Sequence, residues 1–507
     1  MPSRLRSPAA LWISALLFPP LGLFVLWTRT AGIARKLLGT LAVLAIAMIH
    51  LKYIYGLRIE LSGNGMTPIF TFRSPEKHFA ELEKSRAVQP DRAPAVAAVE
   101  AAPEPPKPAA AASAKLEIAN GWTDFRGPLR DGVYRQGEIL VDWPARGLEL
   151  KWKQPVGGGY ASFVVAGGRA YTIEQRRDME FVAAYDLRNG KEVWTHSYPA
   201  HFQESMGGDG PRATPVYHGG FIYSMGATGE MRVLDAATGA VKWGKNILRD
   251  NQAQNITWGM SASPLIVDDT VVVQPGGSKG NSIAAYDKRT GKHVWKSLDD
   301  AQAYTSPMLV TLAGKRQILT ATAKRFVGLD ASKGTLLWEF PWVTEYNVNS
   351  SQPILVDANR FFISAGYGHG AALVEISGSG NSFRAKEIWQ NNRMKNRFNS
   401  SVLYDGHIYG LDENILACMR VSDGNLMWKG GRYGYGQLLL ASGHVVVLSE
   451  SGELALVKAS PEKHIEVSKF QAIEGKTWNV PAIDSGLLLV RNANEMACFQ
   501  IGRRAGP

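Results

Sequence analysis

Asp235-Ala-Ala-Thr-Gly-Ala-Val-Lys-Trp243 is a nine-residue motif that recurs along this chain with constant spacing. In every copy Gly follows the first position by four residues and Trp follows it by eight. The other copies that begin with Asp start at Asp186, Asp287 and Asp330. A fifth copy, ending at Trp428, has Arg420 at the first position. Asp side chains accept backbone hydrogen bonds in turns and Gly supplies a positive φ, so each copy predicts a hairpin turn followed by a strand that carries Trp.

Tryptophan recurs with a long period along the whole chain. Seven tryptophans lie 39 to 52 residues apart, at Trp152, Trp194, Trp243, Trp295, Trp338, Trp389 and Trp428. A period in the forties is typical of propellers built from four-stranded units. Runs rich in β-branched and aromatic residues, such as 221–224 and 270–273, precede the motifs and predict strands. The sequence therefore predicts an all-β propeller whose tryptophans cover apolar area between neighbouring blades.

Eight repeat starts can be counted, and the last repeat has no Trp strand of its own. We expect 148–153, around Trp152, to supply that strand by lying beside Phe499. This pairing closes the ring and removes exposed sheet edges. The prediction is an eight-bladed β-propeller of four-stranded blades. Seven blades is the alternative, because the repeats near Trp389 and at 453–468 are degenerate.

The Asp-x-x-Thr-Gly-x-x-x-Trp repeats resemble the tryptophan-docking motif of the PQQ-like, quinoprotein-type β-propeller repeat family. The opening Trp122-Thr-Asp-Phe-Arg-Gly-Pro-Leu-Arg-Asp-Gly132 resembles the start of bacterial members of this family. The resemblance covers roughly Gly121 to Gly502. It implies the fold, and it leaves two functions open because the family includes both dehydrogenases and scaffolds.

The N-terminal region contains two apolar stretches, 9–28 and 37–55, each close to the length of about 20 residues that crosses a bilayer. Arg29, Arg35 and Lys36 lie between them, and the positive-inside rule places that loop in the cytoplasm. The sequence predicts a two-helix transmembrane hairpin in a bacterial inner membrane, with the propeller in the periplasm. A cleaved signal peptide and a buried soluble hairpin are the alternatives.

The predicted organisation has five parts. These are an N-terminal tail at 1–8, the transmembrane hairpin at 9–56, a juxtamembrane segment at 57–86, an Ala/Pro-rich linker at 87–115 and the propeller at 116–507. Ala/Pro-rich sequence forms no core and is typical of a semi-stiff tether.

Charge and cysteine content exclude some functions. The net charge is +11, and the first 120 residues carry 14 Lys and Arg against 8 Asp and Glu. The rest of the chain has no basic stripe, so we expect no nucleic-acid partner. Cys418 and Cys498 stand in similar contexts. We expect them on equivalent strands of different blades, buried and too far apart to form a disulfide.

The candidate site is a funnel formed where two sets of loops meet on one face of the propeller. They are the lead-in loops, which precede the innermost strands, and the middle loops, which join second to third strands. Guanidinium and ammonium groups suit a ligand with several carboxylates, indoles stack on planar rings, and carboxylates hold Ca²⁺. The alternative is that these loops only cap strands. The cofactor-binding candidates are Glu174, Arg177, Arg212, Trp258, Lys476 and Trp478, and the Ca²⁺ candidates are Asp209 and Asp412.

Two functions are predicted from these features. The first is a membrane-anchored periplasmic scaffold or binding propeller for an envelope protein or ligand, and short blades and a tether favour it. The second is a PQQ-dependent dehydrogenase with Ca²⁺ that oxidises an alcohol or sugar. The chain has no adjacent Cys-Cys pair and no Cys-x-x-Cys-His motif, so no catalytic residue is assigned by resemblance. In compactness the chain is similar to the propeller lipoprotein of the outer-membrane barrel-assembly machinery, but it has no lipobox Cys near its N-terminus.

Overall fold

The computed structural model of the protein describes residues 8–28, 31–63, 66–72, 74–87, 121–380 and 382–502. Two compact units are present. One comprises Met1–Leu61 with Met66–Glu81, and the other comprises Ser62–Gly65 with Leu82–Pro507. The linker predicted at 87–115 lies outside the described residues, apart from its first residue. The second unit contains the propeller.

The first unit contains helices and one β-hairpin. Its elements are α1 (Pro8–Leu17), α2 (Pro19–Trp27), α3 (Ile33–Tyr53), β1 (Leu57–Leu61), β2 (Pro68–Phe72) and the start of α4 (Pro75–Ala87). The first apolar stretch is not one helix, because Phe18 is extended, with φ −153° and ψ 92°, directly before Pro19. A residue before proline is disfavoured in the helical region, and proline has no N–H to donate.

Helix α3 is the one helix in the described part of the chain that is long and apolar enough to cross a membrane. It has 21 residues and a mean hydropathy of 1.6. A signal sequence near the N-terminus has the same length and composition. The structure thus shows one apolar helix with the properties of an anchor or a signal, and the predicted two-helix transmembrane hairpin is not confirmed.

Eight antiparallel four-stranded blades form the propeller. In blades 1 to 7 the four strands run from innermost to outermost in chain order. Blade 1 is Val164–Ala166, Arg169–Arg176, Met179–Asp186 and Glu192–Pro199; blade 2 is Val216–His218, Phe221–Met225, Glu230–Asp235 and Val241–Asn246; blade 3 is Leu265–Val267, Thr270–Val273, Ile283–Asp287 and His293–Ser297; blade 4 is Met308–Leu312, Lys315–Ala321, Arg325–Asp330 and Leu336–Pro341. The short helix α5 (Ile247–Asp250) follows blade 2.

Blades 5 to 7 have the same order, and Val133–Tyr134 adds a fifth strand to the sheet of blade 7. Blade 8 takes its outermost strand from before blade 1. Blade 5 is Ile354–Leu355, Arg360–Ala365, Gly370–Ser379 and Ser382–Asn391; blade 6 is Val402–Tyr404, His407–Asp412, Ile415–Arg420 and Leu426–Arg432; blade 7 is Gln437–Ala441, His444–Leu448, Glu453–Lys458 and Glu466–Gln471; blade 8 is Ala482–Asp484, Leu487–Arg491, Glu495–Gln500 and Glu149–Pro155. The predicted eight blades are confirmed.

The central strands of each blade are buried on both faces, because neighbouring blades pack face to face. Thr270–Val273 and His444–Leu448 are therefore continuous apolar runs after their first residue. The outermost strands, such as Val241–Asn246, are only partly buried. Cys418 and Cys498 lie on the third strands of blades 6 and 8, buried and without a disulfide, as predicted.

The tryptophan of one blade packs on the hairpin turn of the next. Trp194 lies against Gly239, and its indole N–H donates to the Ala236 carbonyl at 3.0 Å. Gly239 has a φ of 77°, and a Cβ there would lie 2.6 Å from Trp194 Cε3. The same contact joins Trp152 to Gly190, Trp243 to Gly291, Trp295 to Gly334 and Trp389 to Gly424. The motif glycine is thus needed for its backbone conformation and for space.

The ring closes through the strand that precedes blade 1 in the sequence. Glu149–Pro155 pairs with Glu495–Gln500, with Trp152 opposite Cys498 and Leu150 opposite Phe499. This confirms the predicted closing strand. The Trp152 indole N–H then donates to the Leu187 carbonyl of blade 1 at 2.9 Å.

A segment that we call the channel segment, 121–134, runs along the inner edges of the blades. Trp122 bridges to Val165 of blade 1, and Val133–Tyr134 pairs with blade 7. Arg126 donates to the Ser401 carbonyl at 2.7 Å, and Arg130 donates to the Pro307 carbonyl at 2.8 Å. Both guanidinium groups are buried and satisfy carbonyls of strand edges that have no neighbouring strand. The segment therefore occupies the central channel.

Candidate funnel site

The funnel collects aromatic and cationic side chains from every blade. From blade 1 to blade 8, the contributing residues are Tyr160, Arg212, Trp258, Tyr304, Tyr367, Phe398, Tyr435 and Trp478. All of them lie in lead-in loops except Tyr367, which lies in a middle loop. The packing of these side chains therefore shows that the loops converge on one face, as predicted.

A continuous aromatic surface forms one side of the funnel. The ring centroids of Tyr160 and Trp478 are 5.3 Å apart, and those of Trp478 and Phe398 are 4.4 Å apart. Phe398 in turn lies 5.9 Å from Tyr435. On another side, Trp258 packs on Tyr304 at 5.7 Å. Tilted ring pairs at these distances are favourable contacts.

Three cations border the aromatic rings. Lys476 Nζ lies 4.0 Å from the centroid of Trp478, and the Arg212 guanidinium lies 5.5 Å from that of Tyr160. Arg397 lies 5.1 Å from Tyr435. These are cation–π distances, and burial lowers the pKa of Arg212.

Two carboxylates hold the funnel groups in place. Glu450 accepts the indole N–H of Trp478 at 2.9 Å. Glu413 accepts from Arg397 Nε at 3.0 Å and from the Tyr435 hydroxyl at 3.2 Å. Burial raises the pKa of Tyr435 to about 12, so its hydroxyl stays a donor at neutral pH. Each charged group here is thus oriented by a neighbour.

Residue Gly63 belongs to the propeller's unit and contacts these groups directly. Its N–H donates to Glu450 Oε1 at 2.7 Å, and its carbonyl accepts from Arg397 Nη1 at 2.7 Å. A Cβ on Gly63 would lie 2.6 Å from Tyr435 Cβ and would overlap the phenol ring. One stretch of backbone is therefore held in the funnel by both of its polar groups.

Four of the predicted cofactor-binding residues come together. Arg212 and Trp258 both lie beside Gly207, where an added Cβ would be 3.4 Å and 3.1 Å from them. Lys476 and Trp478 stack on each other and on Tyr160. Asp209, which was predicted to bind Ca²⁺, lies close enough to Arg212 for its charge to oppose the lowering of the Arg212 pKa by burial.

The other predicted residues lie elsewhere. Glu174 is fully buried in the seam between blades 8 and 1, where it accepts from Arg176 Nε at 2.9 Å and from the Tyr185 hydroxyl at 2.8 Å. Burial raises the pKa of Glu174, but nearby arginines outweigh it and hold the pKa at about 2. Arg177 is exposed and donates twice to Glu83, at 2.8 and 3.1 Å.

The predicted Ca²⁺ ligand Asp412 already has partners within the protein. Asp412 is buried and accepts from the Lys395 N–H and from Lys429 Nζ, both at 2.9 Å. Nowhere in the described ranges do three His, Cys, Asp or Glu side chains cluster in a way that could hold a metal ion. Arg212 donates to the carbonyls of Gly208 and Gly210. Binding of PQQ with Ca²⁺ stays a prediction.

Several funnel residues were not predicted individually. Four of them lie in loops that the repeat pattern placed in the funnel: Arg397, Phe398, Tyr435 and Glu413. They could have been predicted in the same way as Trp478 and Trp258, from the position of their loops in the repeat. Glu450 lies in the middle loop of blade 7. Its repeat is degenerate, so its position carried no such signal.

The fold and the tryptophan contacts place this protein among the β-propellers whose four-stranded blades are joined by tryptophan docking. A family model described as "Outer membrane protein assembly factor BamB" matches residues 178–430. The chain belongs to the PQQ-like β-propeller repeat family.

Individual relatives include both a dehydrogenase and an assembly factor. The quinohemoprotein alcohol dehydrogenase ADH-IIG of Pseudomonas putida is 25% identical over 215 residues, which are 40% of this chain and 28% of the relative. BamB from Moraxella catarrhalis matches with a TM-score of 0.52 at 14% identity, over 71% of this chain and 99% of its own. The solved structure of ADHIIG from Pseudomonas putida HK5 matches with a TM-score of 0.53 at 13% identity, over 76% and 81%. The structural likenesses show the fold alone, and the chain spans less than a third of the curated dehydrogenase.

Proposed function

We propose that this protein is a membrane-anchored scaffold of the bacterial envelope whose propeller binds a polypeptide segment of a partner protein in the funnel. Helix α3 serves as the anchor. Arg35 and Lys36 near its start favour the cytoplasm for that end, which sets the propeller in the periplasm. The similarity to an assembly factor supports the same role.

The observation that carries this proposal is the composition and shape of the funnel. Trp478, Phe398 and Tyr435 form a joined aromatic surface, with Arg397 and Glu450 at its border. Trp, Tyr and Arg are the residue types that dominate protein–protein hot spots. Cofactor pockets are instead enclosed and mostly apolar, with few polar groups.

The channel segment limits the route by which a ligand can reach the funnel. Since Arg126 and Arg130 fill the central channel with buried guanidinium groups, a ligand in the funnel has no path through the ring. A partner segment that binds in the funnel therefore enters and leaves at the funnel face.

Site-specific photo-crosslinking in membranes tests the scaffold. A photoreactive amino acid is placed at Trp258 in the funnel and, as the matched control, at Val294 on the outermost strand of blade 3. Val294 is exposed, at 53%, and Trp258 is half-buried. We expect one discrete adduct from position 258 and none from position 294. Equal adducts from both positions, or none from either, would count against a funnel partner.

A PQQ-dependent dehydrogenase is the second candidate. It is favoured by the convergence of Arg212, Lys476, Trp258 and Trp478, which suits a planar polycarboxylate, and by the partial match to a quinohemoprotein dehydrogenase. Full-length protein in detergent is melted with and without PQQ and Ca²⁺. A binder of the folded state raises the midpoint by mass action. A constant midpoint at saturating PQQ, with no dye reduction by alcohols or sugars, would exclude this candidate.

A further inference from the structure

The groups that hold Gly63 recognise a peptide backbone and not a side chain. Glu450 Oε1 accepts the Gly63 N–H and Arg397 Nη1 donates to the Gly63 carbonyl, each at 2.7 Å. One carboxylate and one guanidinium thus satisfy both polar groups of one residue. Charge-assisted hydrogen bonds of this kind are stronger than neutral ones.

These two groups are oriented independently of Gly63. Glu450 Oε1 also accepts the Trp478 indole N–H at 2.9 Å, and Glu450 Oε2 accepts the Tyr435 N–H at 3.3 Å. Arg397 Nε is held by Glu413 at 3.0 Å. The acceptor and the donor are therefore preorganised, which lowers the entropy cost of binding.

The site also selects glycine by shape. An ideal Cβ at Gly63 would lie 2.6 Å from Tyr435 Cβ and closer still to the ring. Tyr435 is only 4% exposed and packs on Phe398, so it has little room to move. Any side chain at this position would have to displace a packed aromatic ring.

We propose that Arg397, Tyr435 and Glu450 form a glycine-specific receptor for polypeptide backbone, which Ser62–Gly63 of the same chain occupies. This inference rests on the proposed scaffold function and specifies its ligand. The partner segment presents a glycine to the same three groups and binds by displacing Gly63. Occupation in cis lowers the apparent affinity for that partner, since the binding-competent state is only a fraction of the population.

A peptide titration of full-length protein in detergent tests the receptor. The probe is a fluorescent synthetic peptide with the sequence of residues 60–67, Glu-Leu-Ser-Gly-Asn-Gly-Met-Thr. The proteins are wild type, Gly63→Val, Gly63→Ala and the control Met66→Val, whose side chain is 84% exposed. We expect the two Gly63 variants to bind the peptide at least tenfold more tightly than wild type and Met66→Val, because a tethered segment competes at an effective concentration of about millimolar.

A second peptide, with valine in place of the glycine at 63, should bind none of the four proteins. The two Gly63 variants should melt below wild type and Met66→Val, since a segment bound in cis stabilises the folded state by mass action, and added peptide should restore their midpoint. Equal binding by all four proteins would overturn the receptor, as would no gain in either Gly63 variant. A crosslink from position 258 without peptide binding would overturn the receptor but leave the scaffold proposal standing. Peptide binding without that crosslink would support the receptor and count against an envelope partner.

Discussion

The docking of each tryptophan on a glycine of the next blade predicts a stability difference between two Gly→Ala substitutions in blade 2. Gly239 and Gly219 both have positive φ, 77° and 56°. An added Cβ at Gly239 would meet Trp194 Cε3 at 2.6 Å, whereas at Gly219 it would meet nothing within 4 Å. The pair therefore separates the cost of backbone conformation from the cost of crowding the indole.

The magnitudes follow from those two costs. An L-residue with positive φ costs about 1 kcal/mol, which both variants share. Overpacking a well-packed contact costs about 1–3 kcal/mol more, which only Gly239→Ala incurs. We expect Gly239→Ala to lower the free energy of unfolding by about 2–4 kcal/mol and Gly219→Ala by about 1 kcal/mol.

Urea denaturation of the full-length protein in detergent, followed by tryptophan fluorescence, measures the difference as a shift in midpoint at constant slope. Adding Trp194→Ala to Gly239→Ala relieves the clash. The double variant should therefore be less destabilised than the sum of its single variants. Equal midpoints for the two glycine variants, or strict additivity in the double variant, would refute the proposed docking role.

Three other predictions concern buried polar groups. Arg86→Met should destabilise the propeller by about 3 kcal/mol, because Arg86 Nε lies 3.4 Å from the buried Glu192 carboxylate, which would lose this partner. The control Lys84→Met, on the exposed side of α4, should leave the stability unchanged, and urea midpoints measure both. The stability advantage of wild type over Glu174→Gln should be complete above about pH 4.5 and decline toward pH 2, because the folded-state pKa is depressed to about 2; denaturation across this range measures it. The Cys498 thiol, whose pKa burial raises to about 12, should react with a thiol reagent only after urea unfolding, and rapid reaction in the native protein would contradict its burial.

Much of the fold could be predicted because it repeats. The spacing of Asp, Gly and Trp gave the hairpins, and the missing last strand predicted that Trp152 closes the ring. The second role of the glycines could not be predicted from one repeat, since the indole that packs on Gly239 comes from the preceding blade. The channel segment likewise satisfies carbonyls of several blades, and such contacts leave no periodic pattern.

The funnel could be predicted as a place but only partly as a set of side chains. Trp478 and Trp258 lie in loops whose position in the blade is sufficient to predict that they line the funnel. Glu174 lies within a strand, where alternate side chains point to opposite faces, and its carboxylate faces the seam with Arg176. Gly63 precedes the repeats, so no period relates it to the groups that bind it.

The closing strand sets the order in which this protein can mature. Glu149–Pro155 leaves the ribosome before any complete blade, yet its partner Glu495–Gln500 is made only after the other seven blades. The ring therefore stays open until blade 8 has been made, with one unpaired strand edge at each end. Contacts between strands so far apart in sequence form slowly. The nascent chain therefore exposes aggregation-prone, unpaired strand edges for longer than a chain whose contacts are local. Loss of Glu495–Gln500 would leave Glu149–Pro155 without its neighbouring strand.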